Sequence, residues 1–200
     1  MKLSLAASLA GIVMAASACS APAPDASARS AETETPNPAT GWELNEHGGG
    51  ERIKAAGLDV LNAEGAAEHF HAHLDVFVDG KAITVPADIG FEFSAAGKPT
   101  GISALHTHDE SGIIHVEAPV VGATYTLGQL LTEWGVLDGT GPTTGTAAHS
   151  APASWSATVN GKKRPGSISS IILKAHEQIV LYHGAAPSPM PSTFTFPAGE

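Results

Sequence analysis

The chain has 200 residues, a formal net charge of −10 and a single cysteine. The acidic balance argues against nucleic acid and anionic lipid headgroups as partners, because both attract basic surfaces. One cysteine leaves no intramolecular disulfide and, once modified, no thiolate for metal binding or nucleophilic catalysis. The length suits one domain with a single core.

The first eighteen residues have the layout of a secretory signal peptide. Lys2 precedes a short run of small and apolar residues, "LSLAASLAGIVMAASA". This run is too short and too small in side-chain volume for a stable membrane span. Residues 1–18 are therefore predicted to be a signal peptide. Their removal takes away Lys2 and no acidic residue, which moves the formal charge from −10 to −11.

The quartet "ASAC", which ends at Cys19, resembles the lipobox of bacterial lipoproteins, with Ala16 where that motif usually has Leu. The resemblance implies that Cys19 becomes the first mature residue, is thioether-linked to diacylglycerol and is N-acylated. Several acyl chains hold a protein on a membrane more firmly than one. The expected localisation is the outer face of the cell membrane, with the lipid anchor at Cys19 as the membrane contact. Ordinary signal cleavage with an unmodified cysteine is the alternative.

Composition divides the mature chain into three parts. Residues 19–41 combine the predicted lipidated cysteine with a flexible linker rich in Ala, Pro, Ser and Thr. Residues 42–186 are predicted to form a single His-rich metal-binding domain. Residues 187–200 are a Pro-rich tail, expected to be irregular, whose Phe194 and Phe196 can dock on the domain.

Hydrophobic periodicity and turn signals predict an α+β fold, a small antiparallel-sheet-rich domain of hairpins with one main amphipathic helix. In chain order the predicted elements are a short helix within 51–61, a strand at 69–78, the turn Asp79-Gly80, a strand at 81–85, an extended piece within 87–93, a hairpin of 101–108 and 113–119 around the turn 109–112, a helix at 126–136 capped by Thr126, a polar loop at 137–154, and strands within 155–163, 167–174 and 178–184.

The C-terminal half is similar to β-grasp-type modules. The residues that carry this resemblance are "TLGQLL" (126–131), "VNGK" (159–162) and "IVLYHG" (179–184). It implies a β-grasp-like arrangement of this half and no particular function.

The predicted strand 69–78 carries His69, His71, His73 and Asp75 at alternating positions. Residues two apart in a strand point to the same side of the sheet, so these four side chains share one face. The even positions are apolar and form the natural core face. Imidazoles two residues apart on a strand can ligate one ion together, as in many zinc and copper sites.

The second predicted hairpin has a face of the same character. If residues 109–112 form a four-residue loop, His106 lies opposite His115 and His108 lies opposite Ile113. Directly opposed residues have Cβ atoms about 5 Å apart, which suits two ligands of one metal. Glu117 continues the face of His115.

The predicted metal ligands therefore come from both hairpins and are His69, His71, His73, His106, His108, His115, Glu117 and Asp75. Imidazoles with a carboxylate suit Zn²⁺ or Cu²⁺, and the lack of thiolates disfavours Cu(I). The sequence does not separate zinc from copper, or one site from two. The remaining histidines are interpreted as surface residues, with His183 as the best outlying ligand.

Two of these stretches resemble motifs of a group of exported bacterial and archaeal proteins. The residues are "HFHAHLDVFVDG" (69–80) and "LHTHDESGIIHVE" (105–117), with the following "TLGQ" helix. The resemblance covers roughly residues 55–136. It implies a shared site without naming an activity.

Three enzyme families share part of the pattern. "HAHLD" (71–75) is similar to the HxHxD segments of metallo-β-lactamase-type and amidohydrolase-type enzymes. Val76 stands where the first type has a second histidine, and the domain is too short for the second type's (β/α)₈ barrel of about 250 residues. In cupins a glutamate follows the HxH at a longer distance than Glu110 follows His108.

The favoured hypothesis is a surface-anchored lipoprotein that binds Zn²⁺ or Cu²⁺ for metal handling, storage or sensing, with an unidentified protein partner compatible with that role. A small metal-dependent enzyme, cupin-like or hydrolytic, is the alternative, with Glu117, Glu110 or Asp109 as general base. A β-rich interaction module with incidental surface histidines is the third interpretation.

Overall fold

A computed structural model describes residues 40–137 and 146–200. The predicted signal peptide, Cys19, the linker as far as residue 39 and residues 138–145 of the polar loop lie outside the described residues. The described chain is an α+β fold, built on a mixed seven-stranded sheet and a separate two-stranded sheet.

The helices are α1 (Gly49–Ala55) and α2 (Leu127–Trp134). The strands are β1 (Glu68–Val78), β2 (Lys81–Ile83), β3 (Phe91–Phe93), β4 (Pro99–Ile102), β5 (Leu105–His106), β6 (Ile113–Ala118), β7 (Ser156–Val159), β8 (Lys162–Arg164) and β9 (Gln178–His183).

Strand β1 is the centre of the large sheet, whose order is β5-β6-β1-β9-β7-β8, with β2 paired to the end of β1. Asp79 and Gly80 make the two-residue turn between β1 and β2, with φ of 49° and 76°. Both residue types tolerate a positive φ, which is why Asp-Gly favours this turn. Val78 pairs with Lys81 across it, so the first predicted hairpin is confirmed.

One strand pair in the large sheet is parallel. Strand β9 runs alongside β1 from the pair His73–Gln178 to the pair Val78–His183. The sequence pattern predicts antiparallel hairpins and does not predict this parallel pair. Its two strands are far apart in the chain, and no turn joins them. The other pairs of the sheet are antiparallel.

Helix α2 packs its apolar residues into the core. Leu127, Leu130, Leu131 and Trp134 are buried at helical spacing, as the sequence predicts. The Thr126 N–H donates to Gln129 Oε1 over 2.9 Å at the start of the helix, and Gly135 ends it with φ 82°. Each buried leucine contributes about 1.5–3 kcal/mol relative to an exposed one.

The core occupies one face of the sheet. Leu74 and Val76 of β1 belong to the same buried cluster as Leu130 and Trp134 of α2. The apolar even-numbered side chains of β1 thus face the core, and the histidines lie on the opposite face.

Two predicted strands differ in the structure. The stretch 167–174 contains a single 3₁₀ turn, Ile168–Ser170, because serine side chains bond to nearby backbone and compete with a strand ladder. Ser170 Oγ, for example, donates to the Ser167 carbonyl over 2.8 Å. The stretch 101–108 divides between β4, which pairs with β3, and β5, which pairs with β6.

Among the described residues, no helix combines the length and apolar character that crossing a membrane requires.

Candidate metal centre

Three histidines form a row across three neighbouring strands. His106 of β5 pairs with His115 of β6, and His115 pairs in turn with His71 of β1. In the next row, His69 of β1 pairs with Glu117 of β6. The predicted pairing of His106 with His115 is confirmed. The sheet register therefore joins the two histidine-bearing segments on one face.

Side chains from these rows come close enough to hold a metal ion. Two groups of four, which share His115 and Glu117, have ligand atoms that all lie within 4.8 Å of one another. One group adds His69 and His71, and the other adds His106 and His108. Together they define the histidine cluster: His69, His71, His106, His108, His115 and Glu117.

The nearest ligand atoms are spaced like the edges of a metal coordination shell. The two Nε2 atoms of His69 and His71 are 3.1 Å apart, and those of His106 and His108 are 3.2 Å apart. His69 Nε2 lies 3.3 Å from Glu117 Oε1. A tetrahedral zinc ion with ligands at 2.0–2.1 Å separates neighbouring ligand atoms by about 3.3 Å. Two facing imidazole lone pairs repel unless a proton or a cation lies between them.

His106 is held in the orientation that a metal ligand needs. Its Nδ1 lies 3.0 Å from the Ser103 carbonyl oxygen, an acceptor, so Nδ1 carries the proton and donates. The lone pair is then on Nε2, which faces His108. Metal-binding histidines are commonly oriented by such a bond from the second ring nitrogen.

Burial keeps the central imidazoles neutral. It lowers the pKa of His106 to about 3 and that of His115 to about 4, with the neighbouring His108 adding to both shifts. Burial also lowers the pKa of His71. A neutral imidazole has a lone pair to donate, so these three rings are ready to bind metal at neutral pH without losing a proton first.

The carboxylate of the cluster is in a less polar environment than a surface glutamate. Burial raises the pKa of Glu117, and the nearby carboxyl of Glu64 raises it further. Glu64 Oε1 also lies 3.6 Å from His108 Nε2. Two acidic groups beside the imidazoles of the cluster favour a bound cation, because a cation compensates the repulsion between the carboxylates.

The structure does not bring His73 and Asp75 into the histidine cluster. His73 Nδ1 lies 2.9 Å from Gln178 Oε1, and its Nε2 lies 2.8 Å from the Ser111 carbonyl oxygen. Asp75 accepts a hydrogen bond from Gln178 Nε2 over 2.9 Å. Both ring nitrogens of His73 are therefore occupied, and the residue connects β1 to β9 and to the turn before β6.

The other acidic candidates and outlying histidines lie elsewhere. Asp109 accepts a bond from the Ser111 N–H and shapes the turn, and Glu110 lines a surface cavity of about 320 Å³ away from the cluster residues. The rings of His176 and His183 pack against Phe196 and Trp155.

Three contacts of the cluster carry no local sequence signal. Ser103 acts through its backbone carbonyl, and Glu64 is an ordinary loop glutamate. Glu200 reaches His71 from the far end of the chain, with Oε2 3.1 Å from Nε2. A motif search finds none of them, because each depends on the tertiary fold.

Comparison with protein-family models, with curated proteins and with solved structures finds no match to this chain.

Proposed function

We propose that the protein binds one divalent transition-metal ion, Zn²⁺ or Cu²⁺, through the histidine cluster. The observation that supports this most is the pair of Nε2–Nε2 separations, 3.1 and 3.2 Å, on either side of a buried, neutral His115. We expect one ion per chain, because the two candidate groups share His115 and Glu117.

The role that fits this site is metal handling, storage or sensing at the outer face of the cell membrane. The signal-like residues 1–18 and the lipobox-like "ASAC" support export and anchoring, and the linker gives the domain reach from the membrane. Zn²⁺ accepts a tetrahedral set of imidazoles and a carboxylate, whereas Cu²⁺ gains from its higher intrinsic affinity for nitrogen ligands.

Metal titration of the full-length protein, stripped with a chelator and free of any affinity tag, tests the proposal. Calorimetry with Zn²⁺ and separately with Cu²⁺ should give one ion per chain at micromolar or tighter affinity for one of them. Replacing His106 or His115 with Ala removes a ligand and should weaken binding by at least about a hundredfold.

The matched control is His47→Ala, since His47 is an exposed histidine outside the cluster. The His47→Ala variant should bind the metal ion with the same affinity as the unmodified protein. Absence of binding by the unmodified protein, or equal losses in the control and the cluster variants, would refute the histidine cluster as the site.

A further inference from the structure

Residues 187–200 return to the histidine face of the sheet and are fixed there at several points. The Phe194 ring stacks on His73, with centroids 3.6 Å apart and planes within 9°. Phe194 also packs edge-on against Phe196, which contacts His176. This segment, called the strap below, contains no strand or helix.

The strap ends with a carboxylate against two cluster histidines. Glu200 Oε2 lies 3.1 Å from His71 Nε2 and 3.8 Å from His115 Nε2. These two histidines are directly opposed on β1 and β6, with ring centroids 4.5 Å apart. The carboxylate therefore approaches the histidine row at its His71 end, within reach of His115.

The contact between Glu200 Oε2 and His71 Nε2 is close but is not a hydrogen bond. Glu200 Oε2 is buried and makes no hydrogen bond within the described residues. A buried carboxylate oxygen without a donor or a cation is costly, and the Nε2 atoms of two imidazoles face this one. A metal ion between the carboxylate and the two imidazoles satisfies all three groups at once.

We propose that Glu200 is a further ligand of the metal ion and that the strap closes the site over it, an inference that rests on the metal site proposed above. Glu200 adds a second negative charge to that of Glu117, so a divalent ion becomes neutralised by its own ligands. Phe194 is a positioning residue, since its ring holds the strap on His73, which lies outside the cluster.

Titration of the full-length protein with ZnCl₂ tests the role of Glu200. Glu200→Gln keeps the shape of the side chain and removes its charge, and it should lower zinc affinity by at least about tenfold. Glu46→Gln is the matched control, because it makes the same chemical change at an exposed position. The control should bind zinc like the unmodified protein.

Cobalt substitution gives a second readout that a merely structural role would not change. The visible absorption bands of bound Co²⁺ depend on ligand number and type, so Glu200→Gln should alter them and Glu46→Gln should not. If the unmodified protein binds metal but Glu200→Gln matches it in affinity and spectrum, Glu200 is not a ligand and the proposed function stands. If the unmodified protein binds no metal, the proposed function itself fails.

The strap is tested by the rate of metal release to a chelator. Phe194→Ala removes the ring that stacks on His73, and zinc should dissociate at least about tenfold faster, because the closing segment is held less firmly. Far-UV circular dichroism confirms that this variant is folded. An unchanged release rate in folded Phe194→Ala would contradict closure by the strap.

Discussion

At the scale of single residues, the imidazoles of His106 and His115 are both buried and uncharged. His106 and His115 have folded-state pKa values of about 3 and about 4, against an ordinary value of 6.5. The unfolded chain therefore takes up protons on these rings at a higher pH than the folded protein does. Their contribution to stability is complete above about pH 6.5 and is lost as the pH falls toward 4 and 3.

We expect the metal-free protein to lose on the order of a few kcal/mol of unfolding free energy between pH 7 and pH 4 through these two histidines. Urea unfolding at a series of pH values, with a chelator present, measures this. Replacing His106 with Gln should flatten the slope, because the amide does not titrate. An unfolding free energy that stays constant down to pH 4 would contradict the buried, neutral state.

The contribution of Glu133 has to be separated from that of the histidines, because it changes the unfolding free energy with pH in the opposite direction. Burial raises the pKa of this carboxyl to about 8. The folded state then holds a proton that the unfolded state has already released above its ordinary 4.5, so this group lowers stability as the pH rises. Glu133→Gln removes the titrating carboxyl. The pH dependence caused by the histidines is then measured in this variant.

The alternation of side chains along the predicted strands identified the residues of the histidine cluster only in part. Alternation along β1 correctly separates the histidine face from the core face, and the turn at 109–112 correctly pairs His106 with His115. The different placement of His73 could not be foreseen, because its partner Gln178 belongs to a strand more than a hundred positions later. A hydrogen bond of that kind depends on the fold rather than on spacing.

At the scale of elements, the segment before β3 holds the strand that carries His106. The Ser103 N–H donates to the Gly90 carbonyl over 2.8 Å, and the Thr107 N–H donates to the Ile89 carbonyl over 3.1 Å. Gly90 has φ 81°, and a Cβ there would overlap the carbonyl oxygen of Leu105. A glycine is thus required both by its conformation and by the close approach of β5.

Gly90→Ala should therefore destabilise the protein by more than the roughly 1 kcal/mol expected from conformation alone, and it should weaken metal binding by displacing His106. Gly97→Ala is the matched control, because Gly97 has φ 70° with open space around it. Thermal unfolding and zinc titration of both variants measure the difference. Equal losses in the two variants would show that backbone conformation, and not contact with β5, decides the cost.

Elements that depend only on nearby residues could be predicted from the sequence, and elements that depend on remote pairing could not. Helix α2 and the Asp79-Gly80 hairpin follow from nearby residues alone, and both are confirmed. The parallel pairing of β1 with β9 joins remote segments, so no periodicity encodes it. The serine-rich stretch 167–174 has the apolar residues of a strand, but serine bonding to the backbone decides in favour of a turn.

At the scale of the whole molecule, the proposed membrane anchor depends on Cys19. Cys19→Ser removes the thiol to which a diacylglycerol would be attached. Metabolic labelling with a palmitate analogue in a bacterial host that processes lipoproteins should label the unmodified protein and not the variant. The unmodified protein should also enter the detergent phase on Triton X-114 extraction, and the variant the aqueous phase.

Equal labelling of the two proteins, or no labelling of either, would refute lipidation at Cys19. Zinc affinity provides the control, because the anchor and the histidine cluster are far apart in the sequence. We expect Cys19→Ser to bind zinc like the unmodified protein, which shows that any loss of membrane attachment is not a loss of folding.

The row of His106, His115 and His71 stands on three hydrogen-bonded strands, so the backbone sets where the rings approach an ion. The strands are about 4.8 Å apart, and the rings cannot move further apart without breaking the ladder. Ca²⁺ takes six to eight oxygen ligands at about 2.3–2.6 Å, and a row of imidazole nitrogens does not supply such a shell. We therefore expect the site to select a transition-metal ion over Ca²⁺ by ligand type.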